Sequence, residues 1–277
     1  MAKRFFALDE DFDSKIKDAL PDKDIKAINF ISTGWTNIVY EVETDDGNYF
    51  FRFPRDDFWT RTIVKDCEFA SFINGKTKYN TVDLKLHQDG DRPYSVHKKF
   101  EGKALTEKMN ELDPENVNKI SHQIAEFMYE LHSLDYKDVK IFDTDNIGLN
   151  LVDFLDELIN IHMDEDSKVF WKYDDLNQKD KNCLVHGDLN PGNIIIDDNN
   201  NVAAVIDFGF AGYGNKYDDI ARIIGRLPYN FQEPIIRNYE GISGERLDRA
   251  QLGEAIDTWT HIDNGYIKYM RKIGIYD

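Results

Sequence analysis

The chain is poor in cysteine: Cys67 and Cys183 are its only two, far apart in 277 residues. That excludes a disulfide framework and a Cys-based zinc spacing, so both read as reduced core thiols. Its seven histidines form no His-Glu-x-x-His pattern, which removes a familiar helical zinc signature. Long apolar runs are missing too; none approaches the roughly 18 to 20 residues that a membrane helix needs. Met1 to Leu8 has a basic start but meets Asp9, Glu10 and Asp11 at once, too short an apolar run for a secretory signal. The expectation is a cytoplasmic protein without a membrane partner. Positive charge is the other scarcity, with 34 Lys and Arg against 52 Asp and Glu and a formal charge of −18. Binding to nucleic acid draws its energy from cations that displace counterions, so no nucleic-acid partner is expected. The excess acid either favours a cationic partner or only keeps the protein soluble. Nothing in the sequence points to a protein partner.

What is present is an ordinary apolar fraction, 41%, enough for one large domain or two smaller lobes. Phe12, Ile16, Ala19 and Leu20 suggest a leading helix that ends at Pro21. Runs rich in Ile, Val, Tyr and Phe follow at Ile25 to Ile31, Ile38 to Val42 and Tyr49 to Phe53, with Asp45-Asp46-Gly47-Asn48 as hairpin turn between the last two. Residues 60 to 74 read as a helix, and 82 to 87 and 93 to 99 as two more strands. Beyond Ala104 the pattern is helical; Ile120, Ile124, Phe127 and Leu131 fall on one stripe. A short hairpin, Ile194 to Ile196 against Val202 to Ile206, interrupts the helices, which resume after Asp218. There is no internal repeat and no low-complexity linker. The fold class is therefore α+β, with an N-terminal antiparallel sheet region carrying one helix over residues 1–100 and a larger, mainly helical region over 101–277.

The chemistry concentrates in His186-Gly187-Asp188-Leu189-Asn190-Pro191-Gly192-Asn193 and in Asp207-Phe208-Gly209. Four residues separate Asp188 from Asn193, the spacing of the kinase catalytic loop His-Arg-Asp-x-x-x-x-Asn. Asp207 follows Asn193 by 14 residues at the end of the hairpin. Phosphoryl transfer needs these residue types. An aspartate accepts the proton of the acceptor hydroxyl, and a carboxylate and an amide oxygen hold Mg2+ against the nucleotide phosphates. Asp188 is the candidate for the first role, Asn193 and Asp207 for the second. Pro-Gly-Asn or Asp-Phe-Gly alone is an ordinary turn; both in this order, with a hairpin between them, are not.

Through Leu184 to Ile194, Val205 to Gly212 and Asp219-Ile220-Ala221 the chain resembles the aminoglycoside phosphotransferase and choline kinase family. Gly34-Trp35-Thr36-Asn37, Phe51 to Arg55 and Leu131-His132 are weaker matches, so the likeness spans roughly residues 30 to 225. It implies a protein-kinase-like two-lobed fold, with ATP or GTP bound between a nucleotide-binding lobe, 1–100, and a catalytic and acceptor-binding helical lobe, 101–277. It further implies that Asp219 braces the catalytic loop, where the residues alone allow a plain helix-terminal carboxylate.

Two departures stand out. Arg52 occupies the place of the strand lysine that contacts phosphates, and its planar fork is a different donor. Glu68, sixteen residues on, is the candidate ion-pair partner, although an exposed arginine and an exposed glutamate are also commonplace. The phosphate-covering loop, Ser32-Thr33-Gly34-Trp35-Thr36-Asn37, has one glycine; its amides and the Ser32 or Thr33 hydroxyl can contact phosphate from a turn, or it is a plain hairpin turn. Gly187 stands where protein kinases carry an arginine, and only eleven residues separate Asp207 from Asp219, which argues for a small hydroxylated acceptor over a peptide. An aminoglycoside-type polycation suits the acidic chain, with Asp153, Asp156, Glu157, Asp248, Glu254, Asp257 and Asp263 as carboxylates that pair with ammonium groups or merely form solvated helix faces. Choline would ask for an aromatic cage from Trp171, Tyr173, Trp259 and Tyr266, unless these are core. Sugars, amino alcohols and macrolides stay open, as does a non-catalytic nucleotide-binding protein.

Overall fold

The computed structural model describes residues 11–31, 36–55, 57–90, 92–135, 157, 158, 160 and 183–272. Helix α1 (Phe12–Ala19) starts where the Asp11 carboxylate accepts the Ser14 amide at 3.1 Å. It packs Phe12 and Ile16 on a five-stranded antiparallel sheet ordered β1 (Ile25–Ile31), β2 (Asn37–Thr44), β3 (Gly47–Pro54), β5 (Tyr94–Lys98), β4 (Lys85–His87). The β2–β3 hairpin closes on Thr44 opposite Gly47, so Asp45 and Asp46 form the two-residue turn. Phe51, Phe53, Tyr94 and Val96 meet α1 on one face because alternate residues of a strand share a face.

Helix α2 (Asp57–Ile73) buries one broad face. Phe58, Trp59, Phe69, Ala70 and Ile73 join the larger core cluster together with residues well beyond residue 100. A two-residue strand β6 (Lys103–Ala104) pairs with β8 (Ile194–Ile196), which pairs in turn with β9 (Val202–Val205). The hairpin expected around residues 194 to 206 is therefore present, with a short third strand on its flank.

After α3 (Leu105–Lys108), helix α4 (Pro114–His132) is capped by Asp113, which accepts the Asn116 amide at 2.8 Å, and begins on a proline whose missing N–H needs no partner there. Its stripe of Val117, Ile120, Ile124, Phe127, Met128 and Leu131 is buried. Strand β7 (Cys183–Val185) pairs with β10 (Gly212–Gly214), a pairing that no sequence period announces. Three helices finish the described chain: α5 (Lys216–Arg226), α6 (Tyr229–Ser243), which packs on α4, and α7 (Arg249–Lys272), which packs on α5. Among the described residues no helix is long and apolar enough to cross a membrane.

Candidate active site

Strand β7 delivers the chain into the loop that starts at His186. The His186 side chain is buried; its Nε2 lies 3.1 Å from the Ile206 carbonyl and its Nδ1 accepts the Asp188 amide at 3.3 Å. Those two contacts put the ring proton on Nε2 and tie the loop to the segment leading into Asp207. Gly187 turns at φ +75°, left-handed backbone that disfavours any side chain. Asp219, wholly buried in the first turn of α5, accepts the amides of His186 at 2.7 Å and Gly187 at 2.9 Å and lies 3.2 Å from His132 Nε2. Burial pushes its carboxyl up, but the His132 contact and the bond from His186 outweigh this and hold it below the usual carboxylate value. His132, whose Nδ1 lies 2.8 Å from the Tyr239 hydroxyl, so joins α4, α5 and α6 behind the loop.

The loop then folds on itself. Asn193 Nδ2 donates to the Asp188 carbonyl at 2.9 Å and reaches its Oδ2 at 3.4 Å; Asn190 Nδ2 donates to the same carbonyl at 3.0 Å, and its Oδ1 accepts the Gly192 amide at 2.8 Å. With its amide nitrogen committed to Asp188, Asn193 has its side-chain oxygen left as an acceptor. The Ile206 amide donates to the Asn193 carbonyl at 3.0 Å, which anchors the start of the Asp207 turn on the loop of residues 186–193. Asp207 itself has φ +67°, uncommon for a residue with a side chain and a form of strain typical of functional sites.

Arg52, on β3, donates to Asp207 Oδ1 at 3.0 Å and forms an ion pair with Asp66 Oδ2. Burial opposes the guanidinium charge, yet Asp207 and Asp66 more than offset this and raise its proton affinity, so it stays charged. Asp66 also accepts the Phe208 amide at 2.7 Å, and Phe208 stacks on Phe69 with ring centres 5.8 Å apart. The expected partner Glu68 is thereby corrected: it is exposed, and Asp66 takes the role. The reason is helical geometry. Two residues along α2 rotate the side chain by about 200°, so a helix that turns Asp66 to Arg52 points Glu68 to solvent. Asp66 carried a readable signal, a carboxylate among Ile63, Cys67 and Ala70 on an apolar face.

Asp188, 23% exposed at its side chain, forms an ion pair through Oδ1 with Arg222 of α5, a contact that no sequence spacing announces. Of the loop expected over the phosphates, Ser32, Thr33 and Gly34 lie outside the described residues, as do Asp153, Asp156, Trp171 and Tyr173 and the Tyr266 side chain. The described carboxylates proposed for a cationic acceptor are partly engaged: Glu157 pairs with Arg61 at 2.6 Å, Asp263 with Arg226 at 2.6 Å, and Asp248 accepts the Ala250 amide at 2.8 Å at the start of α7. Glu254 and Asp257 are exposed. Trp259 is buried, and the Arg222 guanidinium lies over its ring at 4.2 Å, so that ring faces the protein's own cation.

The phosphotransferase enzyme family matches residues 27–254, most of the chain. The chain belongs to this phosphotransferase family. Its solved structural neighbours include an APH(2") enzyme in complex with GDP and kanamycin, at 18% identity and TM-score 0.72 over 95% of this chain and 93% of that one. The GDP complex of aminoglycoside 2'-phosphotransferase-IIIa matches at 18% identity and TM-score 0.71, over 95% and 91% of the two chains. A macrolide 2'-phosphotransferase from Brachybacterium faecium matches at 13% identity and TM-score 0.63, over 94% and 93%. At these identities the structural matches show the fold, a kinase-like one. As a member of the family the chain is a phosphotransferase.

Proposed function

We propose that this phosphotransferase moves the γ-phosphoryl group of ATP or GTP to a hydroxyl of an aminoglycoside-type acceptor, with Asp188 as the group that orients the hydroxyl and accepts its proton. The observation that carries this reading is the convergence of Asp188, Asn193, Asp207 and Arg52: Asn193 reaches Asp188 at 3.4 Å, Arg52 donates to Asp207 at 3.0 Å, and the Ile206 amide, next to Asp207, donates to the Asn193 carbonyl at 3.0 Å. In this reading residues 1–100 hold the nucleotide and 101–277 the acceptor. Arg52 shifts from Asp207 toward the nucleotide phosphates while Asp66 keeps its orientation, and Ser32, Thr33 and Gly34 cover the phosphates. Asp219 holds the loop amides so that the Asp188 carboxylate meets the acceptor without rearrangement. Because the transition state is loose, positioning and charge neutralisation supply most of the acceleration.

The oxygen donors fit Mg2+. One carboxylate, Asp207, and one amide oxygen, Asn193, suit an ion that prefers one or two protein oxygens together with substrate phosphates. When bound, Mg2+ supplies neutralisation of the phosphate charge that develops during transfer.

For the acceptor, the formal charge of −18 and neighbours solved with kanamycin and gentamicin support the polycation. A second reading, a less cationic hydroxylated acceptor such as a macrolide, is favoured by the engagement of Glu157 and Asp263 with the chain's own arginines. A panel of aminoglycosides, macrolides, choline, amino alcohols and sugars, each with ATP and with GTP, tests both. Mg2+-dependent transfer to an aminoglycoside is expected; transfer to macrolides alone would replace the first reading by the second, and no transfer to any member would contradict both.

A further inference from the structure

The reading of Asp188 as the base leaves one strongly placed group unexplained. Arg222 is only 8% exposed at its side chain and sits in α5 between Ile220-Ala221 and Ile223-Ile224. Its Nη2 meets Asp188 Oδ1, its Nη1 stands 3.6 Å from Asp263 Oδ1, and its plane lies over Trp259 at 4.2 Å. Asp263 is in turn gripped by Arg226 through Nη2 at 2.6 Å and Nε at 3.0 Å. Trp259 and Asp263 both belong to α7, so a chain of contacts runs from the C-terminal helix to the catalytic carboxylate.

Stability is a poor explanation for this arginine. Taking a guanidinium out of water costs about as much as its ion pair returns, so a buried ion pair is weak evidence of a role in stability. The Arg222 Nε moreover has no hydrogen-bond partner among the described residues, an added cost. Asp188, at 23% exposure, would still be hydrated without Arg222. The arrangement makes sense if its product is the direction of the Asp188 carboxylate. Asn193 touches Oδ2 and Arg222 holds Oδ1, so both oxygens are fixed and the side chain has one orientation. A planar fork clamped between an indole and a second carboxylate has little freedom of its own, and a displacement of about 1 Å at a reacting group can cost about a hundredfold in rate.

We propose that Arg222 is the positioning residue of Asp188, and that through Trp259 and Asp263 it couples the set of the catalytic carboxylate to helix α7. The proposal rests on the reading of Asp188 as base. It also implies that Asp188 and Asp263 are already neutralised by arginines and do not serve as ammonium sites for an acceptor.

The test uses the full chain with R222M and R222K. R222M fills the space over Trp259 without charge; R222K keeps a charge but not the fork. With the acceptor that wild type uses best, R222M is expected to lose about a hundredfold in kcat, with nucleotide KM within about twofold of wild type; the melting temperature should fall only modestly, because Asp188 and Asp263, left without Arg222, are partly exposed to water. R222K should recover part of that loss. Unchanged kcat in folded R222M would overturn the proposal, as would a loss that appears only in nucleotide KM. If wild type transfers to no acceptor at all, the kinase reading fails by itself. The positioning claim is then decided by crystal structures of wild type and R222M: a reoriented Asp188 side chain upholds it, and an unmoved one overturns it. Should R222M not fold, R222K is compared with wild type in the same two measurements.

Discussion

Asp66 makes two bonds, one to Arg52 and one to the Phe208 amide. D66A is therefore expected to raise the nucleotide KM by about tenfold or more, the loss of a charge-assisted bond, whereas E68A stays within about twofold of wild type; steady-state kinetics on the two variants decides. Asp218 offers a second residue-scale expectation. Burial, reinforced by the neighbouring Asp219 charge and opposed by the Asn215 amide and Arg222, pushes its carboxyl up to about 6 from an unfolded value of 3.8. A raised folded value means that its share of stability is intact below about pH 4 and fades as pH climbs through 6. D218N, which keeps an acceptor for the Asn215 amide, should exceed wild type in stability at pH 8 by at most about 3 kcal/mol, with the gap closing at pH 4; denaturant unfolding at both pH values measures it. At this scale the sequence was most readable where spacing alone defines a motif, as for Asp188, Asn193 and Asp207. It was least readable where a partner depends on tertiary contact, as for Arg222, whereas Asp66 stood out as a carboxylate on an apolar helix face.

Among elements, the β2–β3 hairpin and the α4 stripe were legible because both patterns are local: turn residues between two β-rich runs, and apolar positions at a 3.6-residue period. Strands β6, β7 and β10 are two or three residues long, too short to show a period, and they exist because distant segments meet. The joint between β5 and β6 illustrates this. Gly102 has φ +134°, and a Cβ there would stand 2.6 Å from the Ile196 carbonyl oxygen, a backbone atom that cannot move aside cheaply. G102A is expected to destabilise the protein by about 2 kcal/mol or more, seen as a lower denaturation midpoint, since it separates the end of the sheet from the hairpin that carries the segment into Asp207.

For the molecule as a whole, two hydrophobic clusters share the work, and the larger one takes in α2 from the sheet side together with α4 to α7. Helix α2 thus carries Asp66 in the same packed core as the loop of residues 186–193, while Arg52 arrives on the sheet, so nucleotide phosphates and Mg2+ bound between them should stiffen the whole. Excess Mg2+ with ATP or GTP, at about 100 times the dissociation constant, is expected to add about 2.7 kcal/mol of stability, and chelation of the metal should remove most of it. In the proposed mechanism Asp188 carries transfer while Arg52, Asn193 and Asp207 hold the nucleotide and its metal. Its most direct measurement is D188A, followed for phosphoryl transfer to the acceptor that wild type uses and for the thermal shift on adding Mg2+ and nucleotide. Transfer is expected to fall by about a thousandfold while the thermal shift persists; transfer at the wild-type rate by D188A would contradict the role of Asp188.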